Sequence, residues 1–450
     1  MEPNEQNKQL KRVLGLWDLI FYGIVLIQPI AAVGLFGIAS QVSKGHMVLT
    51  LIIAMAGMML TAASYGRMAA LYPSAGSAYT YVGKGLNVHI GFIAGWVMFL
   101  DYLIVPIINT IYGALSLQRM FPGIPFAVCV MFLVVVITAI NLKGISTTAR
   151  SGEILLLVMC VVILMFLILA VKFIVNGEGW NGLLSYKPFY NKATFNMGAV
   201  MTATSFAALT YIGFDGVTTL AEEVKNPKRN MLLAPVLVCL ITGIFSIVQI
   251  YLAQLVWPDY DSFRNPETAF FDVAAKVGGT GLFNGMVIIL LLACIGSGIA
   301  GQAGAARLLF AMGRDRVLPF RLFSRLSAGS HTPFYNIILL AALTMTGSLV
   351  LNYQGAAELL NFGAFLAFMG VNIATLKQFF FRPPAGRKRN LVLDAIIPLL
   401  GFIGCLCIWI SLPVSSKILG GTWLVIGIVY LAVQTKGFSR KPVMFHFENE

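Results

Sequence analysis

Long apolar stretches separated by short polar connections make up nearly the whole chain. About 20 consecutive apolar residues cross a bilayer as a helix, and twelve stretches meet that demand. They lie near residues 16–41, 47–66, 88–117, 123–142, 152–175, 197–221, 232–256, 281–309, 334–351, 356–377, 392–412 and 418–434. No connection is long enough for a soluble domain, so the pattern predicts an all-α polytopic membrane protein with one transmembrane domain. Residues 1–15 read as a polar N-terminal segment and 435–450 as a polar tail. The first apolar stretch lacks a small-residue cleavage site and is expected to stay as a membrane helix, not to be removed as a signal.

Two of the twelve stretches are interrupted. In the sixth, AVMTATSFAALTYIGFDGVTTLAEEVKN, Tyr211-Ile212-Gly213-Phe214-Asp215-Gly216 places two glycines and an acid where hydrocarbon is expected. Backbone that leaves a helix at membrane depth must be buried in protein or line a cavity, because lipid offers its amides no partner. An ionisable residue there is costly and marks a candidate site; a glycine packing contact with an acid on an aqueous wall is the plainer alternative. In the first stretch, Gln28-Pro29-Ile30 is followed by Gly34 and Gly37. An interior proline removes an amide donor and clashes with the preceding turn. If 16–190 and 197–377 are inverted repeats, the two interruptions fall at corresponding places, which in transporters points to a midplane site.

The third stretch carries a second deep acid, Asp101, followed by Tyr102, Pro106 and Asn109. Asp101 and Asn109 lie about two turns apart on one side of a helix. Two roles are open to Asp101: meeting a cationic solute or proton, or satisfying backbone freed in a broken neighbour. Gly91 and Gly95 form a small-residue pair suited to helix packing.

Composition sharpens the class. Hydrophobic residues make up 58% of 450 and charged residues 11%, against roughly 25% charge in soluble domains. The net charge of +13 would suit a nucleic-acid partner, but its distribution argues for membrane orientation instead. With the N-terminus inside, only Lys44, Arg119, Lys172, Lys187, Lys192, Arg264, Lys276 and Lys417 fall toward the outer side, which places both termini in the cytoplasm. The six cysteines all sit in apolar runs without metal or disulfide spacing and read as small hydrophobes.

Two cytoplasmic connections stand out. Tyr72-Pro73-Ser74-Ala75-Gly76-Ser77-Ala78-Tyr79 is turn-rich, with aromatic ends suited to the interface. Ala221-Glu222-Glu223-Val224-Lys225-Asn226-Pro227 closes the sixth stretch with a helix-stopping dipeptide. Glu222 and Glu223 are candidates for a latch to a basic residue such as Arg67 or Arg314, or form a solvated helix end. The eighth stretch holds Gly296, Ser297, Gly298, Gly301, Gln302 and Gly304, which permit close helix approach. One serine is a poor oxygen cage for a hard cation, so no sodium or other metal site is expected.

Three of these motifs, YPSAGSAYTY, GFDGVTTLAEEVKNPKR and ARLLFAMGRDRVLP, occurring in order at the second, sixth and eighth stretches, resemble the amino acid–polyamine–organocation (APC) superfamily of secondary transporters. GFIAGWVMFLDYLIVPIIN with LLNFGAFLAFMGVN is most similar to its bacterial putrescine-importer subgroup. The resemblance implies a LeuT-like five-plus-five repeat with broken helices 1 and 6, two additional helices (392–434) and alternating access. Three departures bear on mechanism. A glycine-rich turn that holds a carboxylate in many amino acid permeases reads here Pro29-Ile30-Ala31. Putrescine importers carry an Asp where this chain has Gly34. A fifth-span Lys used for proton coupling in some members is absent from Leu157-Val158-Met159-Cys160.

These observations lead to an importer of small amine solutes, amino acids or polyamines such as putrescine, coupled to protons, in the bacterial inner membrane. An amino acid exchanger of the same fold and a solute sensor are the alternatives. Expected substrate contacts are Gln28, Ile30, Ala31, Gly34, Asp101, Gly213 and Asp215, with Phe206, Tyr211 and Phe214 gating or covering the site. No cofactor is expected. With no HExxH and no Gly-x-Ser-x-Gly, catalysis has no recognisable group set.

Overall fold

The computed structural model describes residues 12–73, 77–143, 149–314, 323–324, 332–383, 386, 389–440 and 442. Ser74-Ala75-Gly76 of the turn motif, the Arg314 side chain proposed as a latch partner, most of the RDRVLP end of the eighth-span motif, the basic pair Arg387-Lys388 and most of both termini lie outside the described residues.

The described chain is almost wholly helical; its one β-feature is an isolated parallel bridge between Leu14 and Val224. The helices are α1 Leu16–Ile27, α2 Phe36–Val42, α3 Met47–Leu71, α4 Ser77–Gly85, α5 Val88–Met120, α6 Phe126–Leu142, α7 Ala149–Glu178, α8 Met197–Ala207, α9 Pro227–Val256, α10 Ala269–Arg314, α11 Phe334–Val350, α12 Tyr353–Leu376, α13 Ile397–Ile410 and α14 Val414–Gln434. Among the described residues, nine helices are long and apolar enough to cross a membrane. Shorter apolar helices, Leu16–Ile27, Val33–Val42, Phe126–Leu142 and Phe334–Val350, fall in the first, fourth and ninth expected spans.

Local chemistry explains several boundaries. Asn226 sits in the left-handed region (φ 49°) and Pro227 follows as the first residue of α9, where a missing N–H costs nothing. Asn87 and Asn196 cap α5 and α8 through side-chain bonds from His89 N (2.8 Å) and Ala199 N (2.9 Å). The eighth expected span, read from 281, begins earlier: α10 starts at Ala269 and turns at Gly279 (φ 61°), whose freedom lets two helical pieces join at an angle.

One aromatic end of the turn motif, Tyr79, differs from expectation. Tyr79 belongs to α4 and is buried, not placed at an interface, because α5 packs on it closely: a methyl added at Gly91 would lie 2.5 Å from Gly83 Cα, and one at Gly95 3.0 Å from the Tyr79 ring. The glycine pair thus serves packing. Around the centre, α3 packs on α9, and α5 packs on both α10 and α12.

Candidate solute-binding site

Pro29 cannot continue α1 and pushes its predecessor out of helical geometry. The helix stops at Ile27, and Gln28 adopts φ 62°, ψ 123°. Gln28 N still bonds Ile24 O (2.9 Å), and its side chain reaches Ala293 O on α10 (3.4 Å). The freed Pro29 carbonyl accepts from Gln249 Nε2 of α9 (3.0 Å), a fully buried side chain. A short turn and a 3-10 turn (Val33–Leu35) lead into α2.

The sixth stretch is interrupted in the same manner by different chemistry. After α8, a 3-10 turn (Ala208–Tyr211) ends at Ile212, which is extended, and Gly213 takes φ 119°, ψ −15°. The chain resumes as a 3-10 helix, Phe214–Glu223, stapled by Thr218 Oγ1 to Asp215 O and Thr219 Oγ1 to Gly216 O (2.6 Å each). Asn361 Nδ2 of α12 bonds Ser205 O (2.8 Å) and Phe206 O (3.3 Å), holding the end of α8. The two breaks abut: a methyl on Gly213 would lie 3.3 Å from Ile27 Cγ1 and 3.6 Å from Ile27 N.

A cavity of about 370 Å³ lies where they meet. Its wall contains Gln28, Ile30, Ala31 and Gly34 from the first break, and Ile212, Gly213, Asp215 and Gly216 from the sixth. Met98, Asp101, Tyr102, Val105, Ile108, Asn109 and Tyr112 form one helical stripe of α5 along it. The third side is α10, from Leu290 to Gly301, with Tyr353 and Leu360 of α12. Asn109 Nδ2 donates to Ser297 Oγ (3.0 Å) across the α5–α10 seam. Asp101 and Asp215 both face the cavity, and none of its described wall residues is Lys or Arg. Asp101 Oδ1 is buried with no partner among the described residues. Two acids on a mostly apolar wall, without a protein cation, are matched by a cationic solute or by protons.

Seven of the ten expected contact residues therefore share one cavity. The expected aromatic covers do not. Phe206, Tyr211 and Phe214 are fully buried behind the wall. Tyr211 Oη donates to Leu51 O (2.9 Å), and Phe214 packs edge-on to Tyr65 and tilted on Phe368 (ring centroids 5.4 and 5.2 Å). The 3-10 geometry after Gly213 turns these rings into the scaffold and leaves Asp215 and Gly216 at the surface.

The expected latch from Glu222 or Glu223 to Arg67 is also corrected. Arg67 is buried and pairs with Asp394, donates to Leu393 O, and lies over the Phe379 ring (4.1 Å). Glu223 instead offers its backbone carbonyl to Val13 N (2.9 Å) and Leu14 N (3.0 Å), so the segment before α1 is tied to the end of the sixth stretch.

Sequence reasoning missed Tyr112 and Tyr353. Tyr112 continues the Asp101–Asn109 stripe by one more turn and could have been found there. Tyr353 starts a helix far along the chain and carried no local signal. Their rings (centroids 4.8 Å apart) fill the space over Gly34, where an added methyl would lie 2.7 Å from Tyr353 Oη and 3.1 Å from Tyr112 Cζ. An acid at this place has no room without moving the tyrosines.

Apolar helices wrapped around an acid-faced internal cavity define a multi-pass membrane protein with a solute-sized chamber inside its bundle. The amino acid permease family model matches residues 14–435, and the chain belongs to that family. It is 34% identical over 448 residues to the low-affinity putrescine importer PlaP of Escherichia coli (strain K12), covering 98% of this chain and 97% of that protein. It is 26% identical over 468 residues to the branched-chain amino acid permease BcaP of Lactococcus lactis subsp. cremoris (strain MG1363), covering 95% and 96%. With the methylthioribose transporter of Bacillus subtilis (strain 168) it shares 25% identity over 464 residues, covering 97% and 94%.

Proposed function

We propose that the protein is a secondary active importer of small amine solutes, with putrescine-like polyamines preferred over amino acids, driven by protons. The observation that carries this reading is the pair Asp101 and Asp215 on one cavity whose described wall holds no basic residue. A diamine brings ammonium groups and no carboxylate, so it matches such a wall, whereas a zwitterion needs a partner for its carboxylate as well. The similarity to a putrescine importer supports the same choice.

Alternating access between inverted repeats over 16–190 and 197–377, within twelve spans, is the mechanism we propose. The abutting breaks support it, because non-helical backbone at one level lets the two halves of each interrupted helix shift separately. The wall is exposed at Leu26 (42%) and Tyr102 (42%) and nearly closed at Tyr112 (3%) and Tyr353 (6%). With both termini cytoplasmic in a bacterial inner membrane, this corresponds to an inward-open form. The opposite side is packed shut: a methyl on Gly37 would lie 2.2 Å from Pro266 O, and Phe36 is wedged against Phe263 and Phe270.

Purified protein in liposomes tests the reading. With a proton gradient, labelled putrescine should accumulate saturably, and a protonophore should abolish accumulation. Saturable uptake of a neutral amino acid that excess putrescine fails to inhibit would overturn the polyamine preference and favour an amino acid permease or exchanger. Binding without accumulation under any gradient would favour a sensor.

A further inference from the structure

The cavity is long. Its α5 stripe runs from Met98 to Tyr112, about 21 Å of helix at 1.5 Å per residue. The acids stand toward one end. At the other, about 16 Å of axial rise beyond Asp101, stand Tyr112 and Tyr353. An extended backbone advances about 1.2 Å per bond, so the nitrogens of a four-carbon diamine stand about 6 Å apart and span only part of this length.

The tyrosine end has its own polar demand. Tyr112 is 3% exposed, lines the cavity, and its hydroxyl is buried without a partner among the described residues. Tyr353 leans on it and covers Gly34. Behind the pair, Glu267 accepts from Tyr353 N (3.1 Å) and adds negative charge to this end. Arg119, at the end of α5, is paired with Asp272 and sits over Phe283, and Glu267 makes no ion pair among the described residues. A phenol oxygen that lacks a donor, aromatic faces and a carboxylate behind them are together what an ammonium group binds.

We propose that Tyr112 and Tyr353 form a distal subsite for the far amine of an extended linear polyamine, so that the cavity selects solute by length. This rests on the amine-solute reading above. One amine sits at Asp101 and Asp215, the chain lies along Val105, Ile108 and Asn109, and the far ammonium donates to the Tyr112 hydroxyl. Gly34 is then the position that leaves the tyrosines room to stand there.

Full-length protein in detergent or liposomes, titrated with butylamine, putrescine and the triamine spermidine, gives the test. Wild type is expected to bind spermidine more tightly than putrescine. Tyr112→Phe keeps the ring and removes the hydroxyl; it should cut the spermidine-to-butylamine affinity ratio about tenfold, close to the worth of one hydrogen bond to a charged group. Gly34→Ala, which pushes on Tyr353 Oη, should shift the ratio in the same direction by a different route. An unchanged ratio in Tyr112→Phe, an equal loss for all three amines, or a wild type without preference for the longer chain overturns the subsite. The parent reading fails separately: it falls if wild type binds none of the amines, or if Asp215→Asn leaves putrescine binding intact.

Discussion

Asp101 and Asp215 reach the same cavity from different backbones, and this shapes what each substitution should do. Asp101 projects from regular helix with one oxygen buried and without a partner among the described residues. Asp215 follows a left-handed glycine on a 3-10 turn whose carbonyl is held by Thr218. Removing the Asp101 charge breaks no hydrogen bond between its buried Oδ1 and the described residues. Asp101→Asn and Asp215→Asn should therefore each weaken putrescine binding by more than about tenfold, or 1.4 kcal/mol, as read by calorimetry on purified protein. A neutral amino acid should lose less in the same variants wherever break carbonyls hold its ammonium. Both acids were legible in the sequence, because an acid in an apolar run stands out without knowledge of its neighbours. The burial of Phe206, Tyr211 and Phe214 was not legible, since an aromatic ring suits a cavity wall and a packed scaffold equally well.

The two breaks are made locally and held remotely. Pro29 and Gly213 end their helices by their own stereochemistry, so the sites of interruption could be read from the sequence. What keeps them open comes from other helices: Gln249 takes the Pro29 carbonyl, and Asn361 takes the carbonyls of Ser205 and Phe206. Nothing local marks either carboxamide for that task. At Gly213 the backbone angle of φ 119° disfavours any side chain, and a β-carbon would press on Ile27 of the first break. Gly213→Leu should consequently abolish uptake while expression and membrane insertion remain near wild type, because the strain of roughly 1–3 kcal/mol falls where the two breaks meet at the cavity. Normal uptake by this variant would place the solute elsewhere.

Across the whole molecule, a buried ion pair joins elements that are distant in sequence. Arg67 near the end of α3 meets Asp394 at the entrance to α13, above Phe379 at the end of α12. Asp394 also accepts from Asn390 N (2.7 Å), so its second oxygen is satisfied. Removing one partner of such a pair strands the other charge and costs about 3–5 kcal/mol. Arg67→Ala should lower the thermal midpoint in detergent, while Glu222→Gln, outside this pair, should change it little. Equal midpoints for wild type and Arg67→Ala would mean the pair does not bear on stability.

The sequence alone determined the helical class, the interruptions and the acids, because apolar length, proline, paired glycines and a lone carboxylate are properties of short windows of chain. Tertiary structure decided which faces of those helices look into the cavity. A membrane helix that is apolar nearly all round has no polar stripe to set its rotation, so only packing contacts choose between wall and scaffold. That is why Asp101 and Asp215 were legible early, while Tyr353 over Gly34 and Asp394 beside Arg67 became visible only when distant segments were brought together.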